Sequence, residues 1–309
     1  IVFGKEIVAL AKKDRRIAAI TAAMPLGTGL SEFSKEFPDR FFDVGIAEQH
    51  AVTFAAGMAK NGMKPVVAIY SSFLQRAYDQ IMHDIALQNL HVVLAIDRAG
   101  IVGEDGETHQ GLYDISFLRS MPNMTIMATA DHYELRNMMR YALTNMDGPA
   151  AIRFTRGRGT GRIGKDVPIE YGKGVLLRKG NDVTILVAGD MAGAALKAAE
   201  YLEAAGCMAE VINARFLKPL DERLIIDSIR KTGLVVTLEN NSASGGFGSA
   251  VLELLSQYDF NPRSLVLGFP DEPIPHGTRA ELFEKYKLNP RAIARRILDF
   301  INIYKIKTI

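Results

Sequence analysis

Short apolar runs alternate with stretches of helical spacing along the first half of the chain. Residues 16–21 (RIAAIT), 65–70 (PVVAIY), 92–96, 124–128 and 150–154 are apolar runs of strand length, and Phe41 and Phe42 lead a further short strand into Asp43-Val44-Gly45. Between them, residues 46–60 place Ile46, His50, Phe54 and Gly57 near helical spacing. Residues 72–88 read as a second helix and residues 131–144 as a third, with Asp131 as its N-cap candidate. Residues 1–17 read as an amphipathic helix ending in charge. Strands apolar on both faces and separated by helices predict a parallel sheet covered on both sides.

The alternation breaks at residues 153–174, which are glycine-rich, carry Arg153, Arg156, Arg158 and Arg162, and have little periodicity. Such a stretch reads as an interdomain linker or surface loop. A second alternation follows, with strands at 183–188, 208–213, 234–238 and 264–267 and helices at 191–205 and 245–258, the last opened by glycines. There is no internal repeat and no low-complexity tract. The expected fold class is α/β in two domains, each a largely parallel sheet flanked by helices. The expected division is 1–160, a linker at 161–175, and 176–309.

Composition narrows the function classes. At 309 residues the chain is long enough for two domains, and 48% hydrophobic with 23% charged residues is the profile of a soluble globular protein. A formal net charge of +2 argues against a dedicated nucleic-acid or membrane surface. No apolar run approaches the roughly 20 residues needed to span a bilayer. Residues 1–17 lack the basic-then-apolar layout of a signal peptide. Cys207 is the only cysteine, which fits a reducing cytoplasm. The absence of an initiator Met leads us to expect a chain that starts inside a longer reading frame or was trimmed.

Candidate chemistry sits where strands hand over to loops, the place where parallel sheets bind ligands. Glu48, in DVGIAEQH, lies at a strand-to-helix junction; on position alone it is a helix-dipole carboxylate or a pocket carboxylate. In SSFLQRAYDQ, Phe73 and Tyr70 are pocket aromatics or core, and Arg76 and Asp79, three apart, are placed to pair on a helix surface. The segment GEDGETHQG joins glycines, acids and His109 in one loop, and histidine exchanges protons near neutral pH. Its acids lack the spacing of a calcium-binding EF-hand. Arg153 and Arg156 could hold a phosphate by bidentate contacts, whereas Arg158 and Arg162 read as solvated linker charge. Histidines and Cys207 show no zinc-ligand spacing. Gly245-Gly246-Phe247-Gly248 is glycine-rich without the GxGxxG form, a weak indication of a dinucleotide site.

Taken together, RFFDVGIAEQHAVTFAAGMA, KPVVAIYSSFLQRAYDQIMHD, AIDRAGIVGEDGETHQGLYDISFLRSMPNM, ARFLKPLD, GGFGSAVLELL and GFPDEPIPHGTRAEL resemble, in this order, the 1-deoxy-D-xylulose-5-phosphate synthase family of transketolase-like thiamine-diphosphate enzymes. EDG-THQ with RSMPN is shared with transketolases generally; SSFLQRAYDQ and THQGLYD favour the synthase. That family has three α/β domains, and the chain resembles the second, which binds the aminopyrimidine, and the third, a C-terminal domain. The first, which holds the diphosphate through Mg²⁺ and a GDG motif followed by Asn, has no counterpart here; Glu104-Asp105-Gly106 belongs to a different motif. No metal ligand is expected in this chain.

The resemblance assigns roles one residue at a time. Glu48 matches the glutamate that hydrogen-bonds the pyrimidine ring nitrogen and so favours the imino tautomer. Phe73 matches the aromatic that stacks on the pyrimidine. Tyr70, Arg76, Asp105 and His109 match polar residues facing the reacting carbons, with His109 a catalytic candidate beside Glu48 and Arg76 also on the cofactor side. Arg98 and Arg156 match the arginines that hold the phosphate of D-glyceraldehyde 3-phosphate. The implied reaction condenses pyruvate with that aldehyde, loses CO₂ and feeds isoprenoid, thiamine and pyridoxal synthesis. The implied assembly is a cytoplasmic homodimer that includes the diphosphate-binding domain. Three forms are open: a fragment of the synthase, inactive alone; one subunit of a split transketolase or 2-oxoacid dehydrogenase-like enzyme; or a non-catalytic assembly module of the same fold.

Overall fold

The computed structural model describes residues 1–157, 159 and 161–306. Twelve strands among them form two sheets. In chain order the strands are β1 (Ile17–Thr21), β2 (Phe41–Asp43), β3 (Lys64–Tyr70), β4 (Val93–Asp97), β5 (Thr125–Ala128), β6 (Ala150–Arg153), β7 (Val175–Arg178), β8 (Val183–Val187), β9 (Ala209–Asn213), β10 (Phe216–Lys218), β11 (Leu234–Ser242) and β12 (Arg263–Phe269). The first sheet runs β10-β5-β6-β4-β3-β1-β2 and the second β12-β11-β8-β9-β7. Every pairing is parallel except β10 with β5 and β7 with β9, which lie at sheet edges.

The apolar runs become strands because both faces are covered. β1, β5, β6, β8 and β9 are buried at every position, as continuous Val/Ile/Ala-rich runs require. The helix His132–Asn145 shows the complementary pattern: Leu135, Met138, Met139, Ala142 and Leu143 form one buried stripe at i, i+3, i+4, i+7 and i+8. Asp131 caps it, its Oδ1 accepting from the N–H groups of Tyr133 and Glu134 at 2.8 Å each.

Several boundaries depart from the sequence pattern. The first helix is Val2–Ala11, because Ile17 and its neighbours are drawn into β1. Residues 72–88 do not wind as one helix. They break into a turn of α-helix (Ser71–Leu74), a 3₁₀ turn (Gln75–Ala77), a further short helical turn (Tyr78–Gln80) and a π-helical segment (Ile81–Ala86). Leu74, Ala77, Ile81 and Ile85 stay buried throughout, so the winding changes to keep one apolar row inward. β11 extends past Leu238 to Ser242 and is buried along its whole length, although Glu239, Asn240, Asn241 and Ser242 are polar.

The second half of the chain reaches back into the first sheet through β10, whose Phe216 pairs with Met127 of β5. Buried Arg215, next to it, donates to Glu134 Oε1 at 2.6 Å and to the carbonyls of Pro168 and Val167 at 3.0 Å each. One guanidinium thus ties the connecting segment, a helix of the first half and the second half together. In the first sheet Tyr70 at the end of β3 pairs with Asp97 at the end of β4, and Ile96 pairs with Arg153. The segments after β2, β3, β4 and β6 therefore leave along one edge.

Candidate active site

At that edge the polar side chains form a continuous series of contacts. Glu48 opens the helix Glu48–Lys60 and is only 3% exposed. The Arg76 guanidinium donates to Glu48 Oε1 at 3.3 Å and lies over the Phe73 ring, 5.3 Å from its centroid. Phe73 stacks on Tyr70 at 5.6 Å and 24°, and meets His109 edge-on at 5.1 Å. Arg98 covers the Tyr70 ring at 3.7 Å, a cation–π contact. Arg98 Nε then donates to Asp105 Oδ2 at 3.3 Å, and Arg156 Nη1 to Asp105 Oδ1 at 2.5 Å. Glu48, Arg76, Phe73, Tyr70, His109, Arg98, Asp105 and Arg156, spread over more than a hundred residues of sequence, are thus linked pair by pair.

The loop after β4 explains how Asp105 and His109 arrive there. Gly100 and Gly111 close its neck by exchanging N–H···O=C bonds of 2.6 and 2.8 Å. His109 sits in the 3₁₀ turn Glu107–His109 with Thr108 Oγ1 2.9 Å from its Nδ1. Arg98 itself has φ +56°, a left-handed conformation uncommon outside glycine. That backbone is held by Arg98 N–H donating to Asp97 Oδ1 at 2.7 Å. Burial pushes the Asp97 carboxyl up to about 6, against the opposing pull of Arg98. Burial also raises the Tyr70 phenol.

A cavity of about 990 Å³ adjoins the arginine end, lined among others by Gly27, Asp97, Arg98, Thr129, Asp131 and Arg156. Glu48, Phe73 and His109 are not on its wall. Among the described residues no group of three or more His, Cys, Asp or Glu could hold a metal ion, and no helix is long and apolar enough to cross a membrane.

Three expectations are corrected. Arg153 is no phosphate ligand: it is 3% exposed and bonded to Asp114 at 2.7 and 3.2 Å. Burial works against its charge, but Asp114 outweighs it and holds the guanidinium above its ordinary value. Arg76 and Asp79 do not pair; Arg76 turns to Glu48, and Asp79 bonds His83 Nδ1 at 2.8 Å. The glycines at 245–248 do not leave space for a dinucleotide phosphate. The N–H groups of Phe247 and Gly248 donate to Glu239 Oε2 and Oε1 at 2.7 and 2.8 Å, so the chain's own carboxylate occupies this helix start. A Cβ on Gly246 would lie 2.2 Å from Glu239 Oε2, which is why glycine is needed there. Arg162 pairs with Asp166 and lies over Tyr133; Arg158 lies outside the described residues. Sequence reasoning missed Asp114, Glu239 and Asn240; the one signal for the last two is a polar ENNS run continuing an apolar strand into glycines.

Comparison with known proteins places these features. Residues 2–160 match the transketolase pyrimidine-binding domain and residues 172–293 the transketolase C-terminal domain. The 1-deoxy-D-xylulose-5-phosphate synthase of Desulfotalea psychrophila is 53% identical over 306 residues, covering 97% of this chain and 47% of the relative. That of Symbiobacterium thermophilum is 52% identical over 297 residues, covering 96% and 46%. The chain spans about half the length of the curated relatives it matches. Among solved structures, a split-gene transketolase described as an inactive β4 tetramer superposes with a TM-score of 0.87 at 35% identity, covering 97% of both chains. A transketolase from Campylobacter jejuni, with a TM-score of 0.78 at 21% identity over 96% of this chain and 46% of that one, shares the fold. With both of its domains matched and its strand-end residues assembled at one edge, the chain belongs to the transketolase-like family of thiamine-diphosphate enzymes.

Proposed function

We propose that this chain supplies the pyrimidine-facing and aldehyde-facing side of a 1-deoxy-D-xylulose-5-phosphate synthase, with residues 1–160 as the pyrimidine-binding unit, 161–175 as linker and 176–309 as the C-terminal domain. The observation that carries the reading is the unbroken series of contacts from Glu48 to Arg156. Its two ends differ in the way the reaction requires: one aromatic end with a buried carboxylate, one end with two guanidinium groups.

The aromatic end fits the aminopyrimidine of thiamine diphosphate. Phe73 offers a ring for stacking, Glu48 a carboxylate removed from water, and Ser72 Oγ is buried with no hydrogen-bond partner. Thiamine diphosphate supplies the electron sink that decarboxylation of pyruvate needs. Glu48 would hydrogen-bond the pyrimidine ring nitrogen, and Arg76, 3.3 Å from Glu48 Oε1, orients the carboxylate for that contact. At the other end Arg98 and Arg156 receive the phosphate of D-glyceraldehyde 3-phosphate in bidentate fashion. His109, between the two ends, is the group that exchanges a proton with the substrate, and Tyr70 and Asp105 face the reacting carbons. The diphosphate and Mg²⁺ are held by a further portion carrying a GDG motif, so turnover requires that portion, in a cytoplasmic homodimeric assembly.

The test is reconstitution of the chain with a diphosphate-binding portion, followed by assay for 1-deoxy-D-xylulose 5-phosphate. The expected result is thiamine-diphosphate-dependent product formation that Glu48→Ala lowers about 10³-fold; normal turnover by Glu48→Ala would overturn the reading. A second form, this chain as one subunit of a split enzyme, has a precedent in the similar split-gene transketolase. The reading frame around Ile1 separates the two: one continuous frame encoding the GDG portion excludes the split subunit.

A further inference from the structure

The loop that carries Asp105 and His109 belongs to the first sheet by sequence, yet its tethers lie in the second half. Ile101 N–H donates to Asn240 Oδ1 at 2.9 Å, while Asn240 Nδ2 donates to Asp190 Oδ2 at 2.9 Å. The main-chain carbonyl of Asn240 accepts from Arg153 Nη2 at 3.2 Å. Asn240 is fully buried. Gly100, at φ +81°, packs against this amide so closely that a Cβ there would lie 2.2 Å from Asn240 Nδ2. Beyond Asn240 the contacts continue in both directions. Arg153 is bonded to Asp114, which accepts from Ser71 Oγ at 3.0 Å at the start of the segment carrying Phe73 and Arg76. Asp190 accepts from Arg279 Nη2 at 2.9 Å, and Arg279 Nη1 donates to the Arg156 carbonyl at 3.3 Å.

We infer that Asn240 is a positioning residue: its side-chain amide, at the C-terminal end of β11, fixes the neck of the loop bearing Asp105 and His109 and so sets where those groups stand relative to the aromatic end of the site. The inference rests on the proposed function for its catalytic meaning, but the tether itself does not. The chemistry of the position requires an amide. An amide accepts from Ile101 N–H with one atom and donates to a carboxylate with the other, in a side chain short enough for this buried place. Aspartate keeps the shape and the acceptor but sets an anion against Asp190, and alanine leaves the Ile101 N–H without its acceptor while Asp190 Oδ2 keeps only Arg279. The same reasoning explains why a polar residue stays buried in a strand of the second sheet: it joins the two sheets at a loop whose placement matters to the site.

Hydrogen exchange on the 309-residue chain tests the tether. In Asn240→Ala the amides of Ile101, Val102 and His109 are expected to exchange about tenfold faster or more, while those of the helix Glu48–Lys60 and of β8 keep their protection. The isosteric Asn240→Asp, which sets a carboxylate against Asp190, is expected to show the same loop-confined change. In the assembled enzyme Asn240→Ala is expected to keep its thiamine-diphosphate affinity while turnover falls about 100-fold, the size of effect that a 1 Å misplacement produces. Unchanged loop exchange, or a loss of protection spread evenly over β8, β9 and β11, would each overturn the inference. If the wild-type assembly forms no product, the proposed function fails and the exchange pattern alone decides whether Asn240 holds the loop.

Discussion

Glu48 and Glu239 are both buried carboxylates, one in each half of the chain; Glu48 opens a helix, and Glu239, in β11, faces the start of one. They differ in what answers their charge. Glu239, fully buried, accepts two main-chain N–H bonds from the helix it faces, and its loop carries a glycine shaped to it. Glu48 faces the half-exposed guanidinium of Arg76, on a side chain that also lies over Phe73. Depth alone therefore does not mark a functional acid. A carboxylate that closes its own helix N-terminus is consumed by the fold, whereas one held by a movable cation beside an aromatic ring keeps capacity for a ligand.

Substitution by alanine separates the two most sharply. In the assembled enzyme Glu48→Ala is expected to lower turnover about 10³-fold, in the range of general acid–base contributions. Its thermal stability should move little, because Arg76 can return to water. Glu239→Ala should do the reverse. It leaves two buried N–H groups without acceptors, a loss of about 3 kcal/mol, read by denaturant unfolding, while any enzyme that folds keeps near-normal turnover. A large stability loss at Glu48, or a turnover loss without destabilisation at Glu239, would break the comparison.

The same contrast separates two arginines three residues apart. Arg153 is enclosed with Asp114 beneath the sheet edge, and Arg156 is partly exposed and paired with Asp105 above it. Arg153→Leu leaves a buried carboxylate unpaired and is expected to cost about 3 kcal/mol of folding stability. Arg156→Ala removes a solvent-screened pair and is expected to change stability by less than about 0.5 kcal/mol. Its effect should be a raised KM for D-glyceraldehyde 3-phosphate with the KM for pyruvate unchanged, measured by steady-state kinetics.

These pairs also show what the sequence could disclose. Burial and alternation are local, so β1, β3, β8 and the Asp131 cap could be read residue by residue. That the candidate residues would meet was legible through their motifs, because strand ends in a parallel sheet bring distant segments to one edge. What could not be read was which polar group meets which. Arg153 and Arg156 share composition and neighbourhood, and only the β4–β6 register sends one inward to Asp114. The run Glu239 to Ser242 ended a predicted strand because polar residues rarely continue one. It continues here because Glu239 and Asn240 find partners in other segments, a condition set by tertiary contacts alone. The glycines at 245–248 were misread for the same reason: they admit a carboxylate from eight residues upstream in the same chain.

Titration gives the finest distinction, because it asks whether a satisfied carboxylate is also a comfortable one. Burial pushes Glu239 up to about 7 despite its two N–H donors, and pushes Asp97 up to about 6. Both values lie above those of the unfolded chain, so between about pH 4 and pH 7 the folded chain binds more protons than the unfolded one. Stability from these two groups is therefore complete below the ordinary carboxylate range and is lost as pH rises through about 6 and then about 7. Asp14 has the opposite sign: Arg16 holds its carboxyl well below the usual range, and its contribution is lost only as pH falls below about 4. The two behaviours occupy separate windows. The melting temperature should fall by a few degrees between about pH 5 and pH 7.5. Glu239→Gln, neutral at every pH, should remove the upper part of that slope, and Asp97→Asn the lower part. A melting temperature that stays level across this interval in the wild-type chain would mean that the two N–H donors outweigh burial. Glu239 would then be an ordinary ionised cap, and the difference from Glu48 would rest on hydrogen bonding alone.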